Sequence, residues 1–210
     1  MATSHMTITI FSAIVVMLLS SAIAAQSSGD VGGKPKPTDF MVRACKSASN
    51  YSRGYNDGIG YVTSEFCITT LQSDNRSADA KDHIDLALIP VHILKERLVI
   101  AGGNVKEMLH NTKNSTSATV RHLRTCEMEY TASASLLNLC DALTGDYQGD
   151  DDSVLTFYYE LSYCVHTVDR VSGYSRFALP QIPGAEALVK ESKELLMLMY
   201  LSMALLEPYE

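Results

Sequence analysis

The residue types in this sequence that could carry out chemistry are its cysteines and histidines. No two cysteines stand in a Cys-x-x-Cys pattern, no His-x-x-x-His pair occurs, and the histidine nearest to a cysteine is His166. A structural zinc site needs four such ligands at short spacings, so a metal centre is not expected. The five cysteines therefore favour disulfides, with at most two bridges and one free thiol: Cys45, Cys67, Cys126, Cys140 and Cys164.

Catalytic motifs are absent from the sequence. It contains no Gly-x-Ser-x-Gly, no His-Glu-x-x-His, no phosphate-binding loop and no dinucleotide fingerprint. The acidic run from Asp146 to Asp152 lacks the ligand order of an EF-hand loop, and carboxylates at the start of a helix interact well with its free N–H groups. His83, His92 and His122 are assigned no chemistry. We expect a binding protein rather than an enzyme, without a cofactor.

The first 38 residues differ in composition from the rest. An uncharged apolar run from Ile8 to Ala24 ends in small residues, which is typical of a cleaved secretory signal, and a membrane anchor is the competing interpretation. We expect a signal peptide over 1–25, a flexible linker over 26–38, and one domain over 39–208. Secretion, with disulfides formed in an oxidising compartment, follows from this interpretation.

Three glycosylation sequons follow the apolar run, at Asn50, Asn75 and Asn114. We predict glycans at these asparagines if the chain is secreted. The formal net charge of −7 argues against nucleic acid as the main partner.

Apolar spacing predicts an all-helical fold. Residues 77–206 contain four amphipathic segments with short connections and no strand alternation, which predicts an antiparallel, up-down four-helix bundle. A kink is expected at Pro90, and the stretch Ser172–Gly184, which has two prolines, is expected to interrupt the helices. The predicted inner positions of the four helices are Ile84, Ala87, Val91, Leu94, Leu98, Ala101, Val105 and Met108; Leu123, Cys126, Tyr130, Ala134, Leu137 and Cys140; Val154, Phe157, Leu161, Cys164, Val168 and Val171; and Leu188, Ser192, Leu195, Met199, Ser202 and Leu206.

The cysteines can be paired from helix geometry. A turn centred near residue 147 would place Cys164 level with about residue 130, so that Cys126 is displaced by roughly 6 Å and Cys140 by roughly 15 Å. We therefore expect a Cys126–Cys164 bridge between two helices. Cys45 and Cys67 then pair with each other, and Cys140 remains as a buried free thiol.

Beyond these patterns, the sequence resembles the plant invertase and pectin methylesterase inhibitor family. The resemblance rests on Cys45-x-x-Ala48, Phe66-Cys67, the run from Thr70 to Ala78 (TLQSDNRSA) and Leu161-x-x-Cys164, and it extends over about 41–206. It implies a disulfide-linked helical hairpin over 39–72 ahead of the bundle. It also implies that Cys45, Cys67, Cys126 and Cys164 are the four family cysteines, and that the Cys45–Cys67 loop is enlarged.

The function that this resemblance implies is inhibition. Members are secreted or vacuolar and dock over the active-site cleft of a target enzyme, here pectin methylesterase or acid invertase. The Pro-Lys-Phe run of many invertase inhibitors is replaced by Asp146, Tyr147 and Gln148, and the Thr of many pectin methylesterase inhibitors by Tyr163, so the target stays open. We expect these four residues to contact the partner and the affinity to vary with pH.

Two alternatives remain. The Met-rich last helix, with Met197, Met199 and Met203, could line a cavity for a small apolar ligand, although methionine in a helix is usually core filler. The chain could also be a divergent family member that has lost inhibition.

Overall fold

The structure is a computed structural model, and it describes residues 36–53, 61–111, 116–145 and 151–206. The regular elements in these ranges are all helical. The helices are α1 (Asp39–Ser52), α2 (Ser64–Leu71), α3 (His83–Asn111), α4 (Ser117–Gly145), α5 (Asp151–Ala178) and α6 (Glu186–Leu206), with 3₁₀ helices at Asn75–Ala78 and Leu179–Gln181. None of the helices described is long and apolar enough to cross a membrane.

Helices α1 and α2 each begin at a threonine cap. The hydroxyl of Thr38 accepts a hydrogen bond from the Met41 N–H at 3.1 Å, and that of Thr63 accepts one from the Phe66 N–H at 3.0 Å, which satisfies free donors of the first turn. Cys45 and Cys67 form a disulfide between the two helices, with Cα atoms 5.5 Å apart. The structure therefore contains the first predicted pair.

The short 3₁₀ helix between α2 and α3 lies in the run on which the family resemblance rests. Asp74 caps it by accepting hydrogen bonds from the backbone N–H of Arg76 at 2.9 Å and from its guanidinium. This pairing lowers the pKa of Asp74 below its ordinary value and raises that of Arg76. Ser77 is buried beneath the turn, so the run anchors the start of α3.

The four long helices pack against one another in neighbouring pairs. Helix α3 contacts α4 and α6, and α5 also contacts α4 and α6, while α1 packs on α2 and α6. The predicted inner positions of α3, α4 and α6 are buried, except that Met108 is only half-buried. In α5, Leu161, Cys164 and Val168 are buried as predicted, whereas the side chains of Val154, Phe157 and Val171 lie outside the described residues.

Two helix boundaries differ from the prediction. Helix α3 begins at His83 rather than near Ser77 and continues through the buried Pro90; a kink there stays a prediction. Helix α5 continues to Ala178, past Ser172. Ser175 and Ala178 are buried in this last part of the helix. The interruption expected from the two prolines begins only at Leu179, and α6 starts at Glu186.

An ion-pair cluster joins α3 to α6. The guanidinium of Arg97 donates to both carboxylate oxygens of Glu191, at 2.8 and 2.7 Å, and to Glu194 at 2.5 Å. Bidentate contacts of this kind are stronger and more specific than single charged pairs. The cluster fixes the relative register of these two helices.

Candidate functional site

The predicted contact residue Tyr163 lies on the outer surface of α5. Its side chain is 75% exposed. Asp146, Tyr147 and Gln148, which were predicted to contact the partner with it, lie outside the described residues, as does the sequon at Asn114. The described residues that surround Tyr163 belong to α4 and α5.

Helix α4 carries a second apolar stripe that faces solvent. Met128 is 63% exposed and Leu139 is 58% exposed, with Leu136 also exposed and Leu143 half-buried. These residues, with the exposed Ala132, follow one another at spacings of three and four, so they share one helix face. This outer stripe was not predicted, although its signal in the sequence is the same periodicity as that of the inner stripe, shifted by two or three residues.

The outer stripe borders a shallow apolar groove against α5. The groove has a volume of about 250 Å³, and its lining is formed by Leu136, Leu139, Leu143, Glu160, Tyr163 and Cys164. Tyr159, one turn before Tyr163, is also exposed and stands edge-on to Tyr158. Contiguous exposed apolar surface of this kind marks interaction sites on soluble proteins. We call this surface the α4–α5 face: Met128, Leu136, Leu139, Leu143, Tyr159 and Tyr163.

The second disulfide corrects the predicted pairing. It joins Cys140 to Cys164, with Cα atoms 5.9 Å apart, and Cys126 is a buried free cysteine. The predicted Cys126–Cys164 bridge and the predicted free thiol at Cys140 are both wrong in this structure. The α4–α5 face therefore lies directly over a covalent link between its two helices.

The cause of the error is the register of the two helices. The Cα atoms of Cys140 and Cys164 are 5.9 Å apart, so Cys164 lies close to the level of Cys140 rather than of residue 130. Cys126 lies 14 residues before Cys140 on α4, which is about 21 Å of helix, and it is therefore out of reach of Cys164.

A sequence model of the plant invertase/pectin methylesterase inhibitor family matches residues 39–170, which is more than half of the chain and extends from the start of α1 into α5. The chain belongs to this inhibitor family. No curated protein matches it. The family assignment made from the cysteines and the run Thr70–Ala78 is thus confirmed.

In this family member the free thiol of Cys126 lies in the hydrophobic core. It is fully buried on α4, near the Ser175 hydroxyl of α5 and the phenol of Tyr130. Burial raises the pKa of the Cys126 thiol and raises that of Tyr130 to about 12. Since the thiolate is the reactive form of cysteine, Cys126 is unsuited to act as a nucleophile.

The structure also shows the positions of two predicted glycosylation sites and of the methionines of the last helix in this inhibitor-family chain. Asn50 in the last turn of α1 and Asn75 in the 3₁₀ helix are exposed. Within the described residues, no group of three or more His, Cys, Asp or Glu side chains is arranged to hold a metal ion. Met199 is fully buried, and Met197 and Met203 are half-buried and pack against the core. The three methionines therefore fill the core rather than line a ligand cavity.

Proposed function

We propose that this chain is a secreted proteinaceous inhibitor, without a cofactor or catalytic activity, of a plant cell-wall carbohydrate enzyme. The target is pectin methylesterase or acid invertase, whose active-site cleft the inhibitor blocks. The observation that carries the proposal is the exposed α4–α5 face on a member of an inhibitor family. A helix pair with one apolar stripe in the core and another in solvent is expected of a protein that buries the second against a partner.

The composition of the α4–α5 face suits a protein partner. Tyrosine is enriched among the residues that dominate binding energy, because it buries a large area with few rotatable bonds. Tyr159 and Tyr163 are one turn apart on α5, and Leu139 of α4 lines the groove together with Tyr163. We propose these three side chains as the centre of the contact.

The extent of this face points to additional contact residues. From Met128 to Leu143 the stripe is about 22 Å long, and two helices are about 20 Å wide, which gives roughly 450 Å². A stable complex buries about 800 Å² on each partner. We therefore propose that the contact continues onto the α4–α5 connection, where Asp146, Tyr147 and Gln148 were predicted to bind the target.

The processing of the chain is also a proposal. The signal peptide over 1–25 is removed, the linker over 26–38 precedes the inhibitor domain over 39–208, and glycans are attached at Asn50, Asn75 and Asn114. The mature protein acts in the apoplast, with the vacuole as the alternative, and has no membrane partner after cleavage. We propose an up-down, antiparallel arrangement for its four long helices, which is supported by their neighbouring contacts.

The experiment is a titration of the mature protein into both enzymes at mildly acidic pH. Stoichiometric loss of activity of one enzyme is expected, and an unaffected second enzyme would identify the target. Circular dichroism and a thermal melt establish that the inhibitor is folded. A folded protein that inhibits neither enzyme would contradict the proposal and favour the divergent member without inhibition.

A pair of variants on α5 locates the contact. Tyr163→Ala is expected to weaken inhibition by roughly tenfold or more, as the loss of a central aromatic side chain does. Phe177→Ala is the matched control, because Phe177 is 78% exposed on the same helix and lies about 21 Å further along it. Equal effects of the two substitutions would exclude the α4–α5 face as the centre of the contact.

A further inference from the structure

A charged junction lies on the side of α3 away from Arg97. His92 and Lys95 on α3 both face Asp141, near the end of α4: His92 Nδ1 is 3.6 Å from Asp141 Oδ1, and the Lys95 ammonium bonds to Asp141 Oδ2. All three side chains are half-buried. A single carboxylate thus faces two potential donors from the neighbouring helix.

The turn before α3 completes the junction. Asp74 and Arg76 of this turn both act electrostatically on His92. The imidazole is therefore surrounded by two cations, Arg76 and Lys95, and by two anions, Asp74 and Asp141. Burial and the nearby Arg76 lower the pKa of His92 below its ordinary value, and the attraction of Asp141 offsets this only in part.

We propose that His92 is a proton-controlled switch that determines how Asp141 is shared between two side chains of α3. When His92 is neutral, the cation that Asp141 binds on α3 is Lys95. When a proton binds, the imidazolium becomes a second cationic donor to the same carboxylate. The attraction that Asp141 exerts is then divided, and Lys95 is held less firmly.

The switch acts on a second, more polar groove, which lies between α3 and α4. This groove has a volume of about 490 Å³, and its charged lining residues are Lys95 and Lys106 of α3 and Glu127 of α4, with Gly102, Gly103, Thr131, Ser135 and Asn138 among the uncharged ones. Protonation of His92 adds one positive charge next to Lys95 and weakens the ion pair between Lys95 and Asp141. The positive potential at this end of the groove therefore rises as the solution becomes weakly acidic.

The geometry predicts whether each neighbouring charge raises or lowers the pKa of His92. Removing the anion with Asp141→Asn is expected to lower the pKa of His92 further, because the imidazolium loses its attracting charge. Removing the cation with Lys95→Met is expected to raise it, because a repelling charge is lost. A change in general packing would not produce opposite shifts from two substitutions at one contact.

The experiment is an NMR titration of the imidazole resonances of the full mature protein and of these two variants between about pH 4.5 and 8. His110, exposed in the last turn of α3 and far along the helix from His92, is the internal control for the NMR signals of the three proteins. In the same samples the Lys95 ammonium resonance is expected to shift with the His92 titration, and this shift is expected to vanish in His92→Gln. Unchanged or parallel movements of the His92 pKa in the two variants would overturn the proposal, as would a Lys95 resonance that follows pH in His92→Gln.

Discussion

Cys140 on α4 and Cys164 on α5 are joined by a disulfide, whereas Cys126, four turns earlier on the same buried stripe of α4, keeps a free thiol. All three cysteines face the seam between these helices. Only the register of the hairpin decides which of the two α4 cysteines meets Cys164. This register also sets which residues of α5 stand beside Leu136 and Leu139 on the α4–α5 face.

Peptide mapping without reduction tests the pairing directly. We expect one cross-linked peptide pair containing Cys45 and Cys67, a second containing Cys140 and Cys164, and Cys126 labelled by a thiol reagent only after unfolding. A cross-linked pair containing Cys126 and Cys164 would show that the helices adopt the register first predicted from the sequence.

Stability gives an independent check on the same bridge. Cys140→Ser is expected to lower the free energy of unfolding by about 3 kcal/mol, because the broken link closes a loop of 24 residues in the unfolded chain. Cys126→Ala removes only a buried sulfur and is expected to cost about 1 kcal/mol. Urea unfolding of both variants measures the difference, and a larger loss in Cys126→Ala would contradict the pairing.

The sequence was sufficient to predict the buried faces because helical periodicity reports burial directly. Leu98, Leu137 and Leu195 are buried in three different helices as their spacing requires. Register was not predictable in the same way, because the connection between α4 and α5 leaves no periodic signal, and the wrong register exchanged Cys126 for Cys140. The exposed stripe of α4 was not predicted because helical periodicity does not tell a solvent-facing apolar face from a buried one.

The paired glycines of α3 provide a matched test of helix packing. A Cβ at Gly102 would lie 3.4 Å from the Cβ of Tyr130, whereas one at Gly103 would meet nothing within 4 Å. Valine at either position has the same helix propensity, so only the surroundings differ. Gly102→Val is expected to be less stable than Gly103→Val by about 1 to 3 kcal/mol, since its branches would overpack against α4. Equal thermal unfolding midpoints would show that α3 and α4 are less closely packed than the structure indicates.

The Arg97 cluster is expected to contribute more than an ordinary surface ion pair. Arg97→Met keeps the aliphatic stem but leaves Glu191 and Glu194 without their shared cation, and we expect a loss of about 1 to 2 kcal/mol. The control is Lys190→Met, because the exposed Lys190 reaches Glu194 only at 3.8 Å along the same helix and such pairs contribute at most about 0.5 kcal/mol. The loss in Arg97→Met is expected to shrink in 1 M salt, measured by chemical denaturation, and equal losses in both variants would contradict a special role for Arg97.

The stability of the fold is expected to fall as the solution becomes acidic, in part through His83. This histidine packs against Phe40 of α1, with ring centroids 4.9 Å apart, and burial lowers the pKa of His83 below its ordinary value of 6.5, partly offset by Asp82. Below pH 6.5 the unfolded chain therefore binds more protons than the folded one. The contribution of neutral His83 is complete above that value and is lost as pH falls through 6.5 towards and below the folded pKa. In urea titrations at pH 7 and pH 5, His83→Gln is expected to show a smaller drop in unfolding free energy than the natural sequence. An unchanged drop in His83→Gln would mean that His83 has the same proton affinity folded and unfolded.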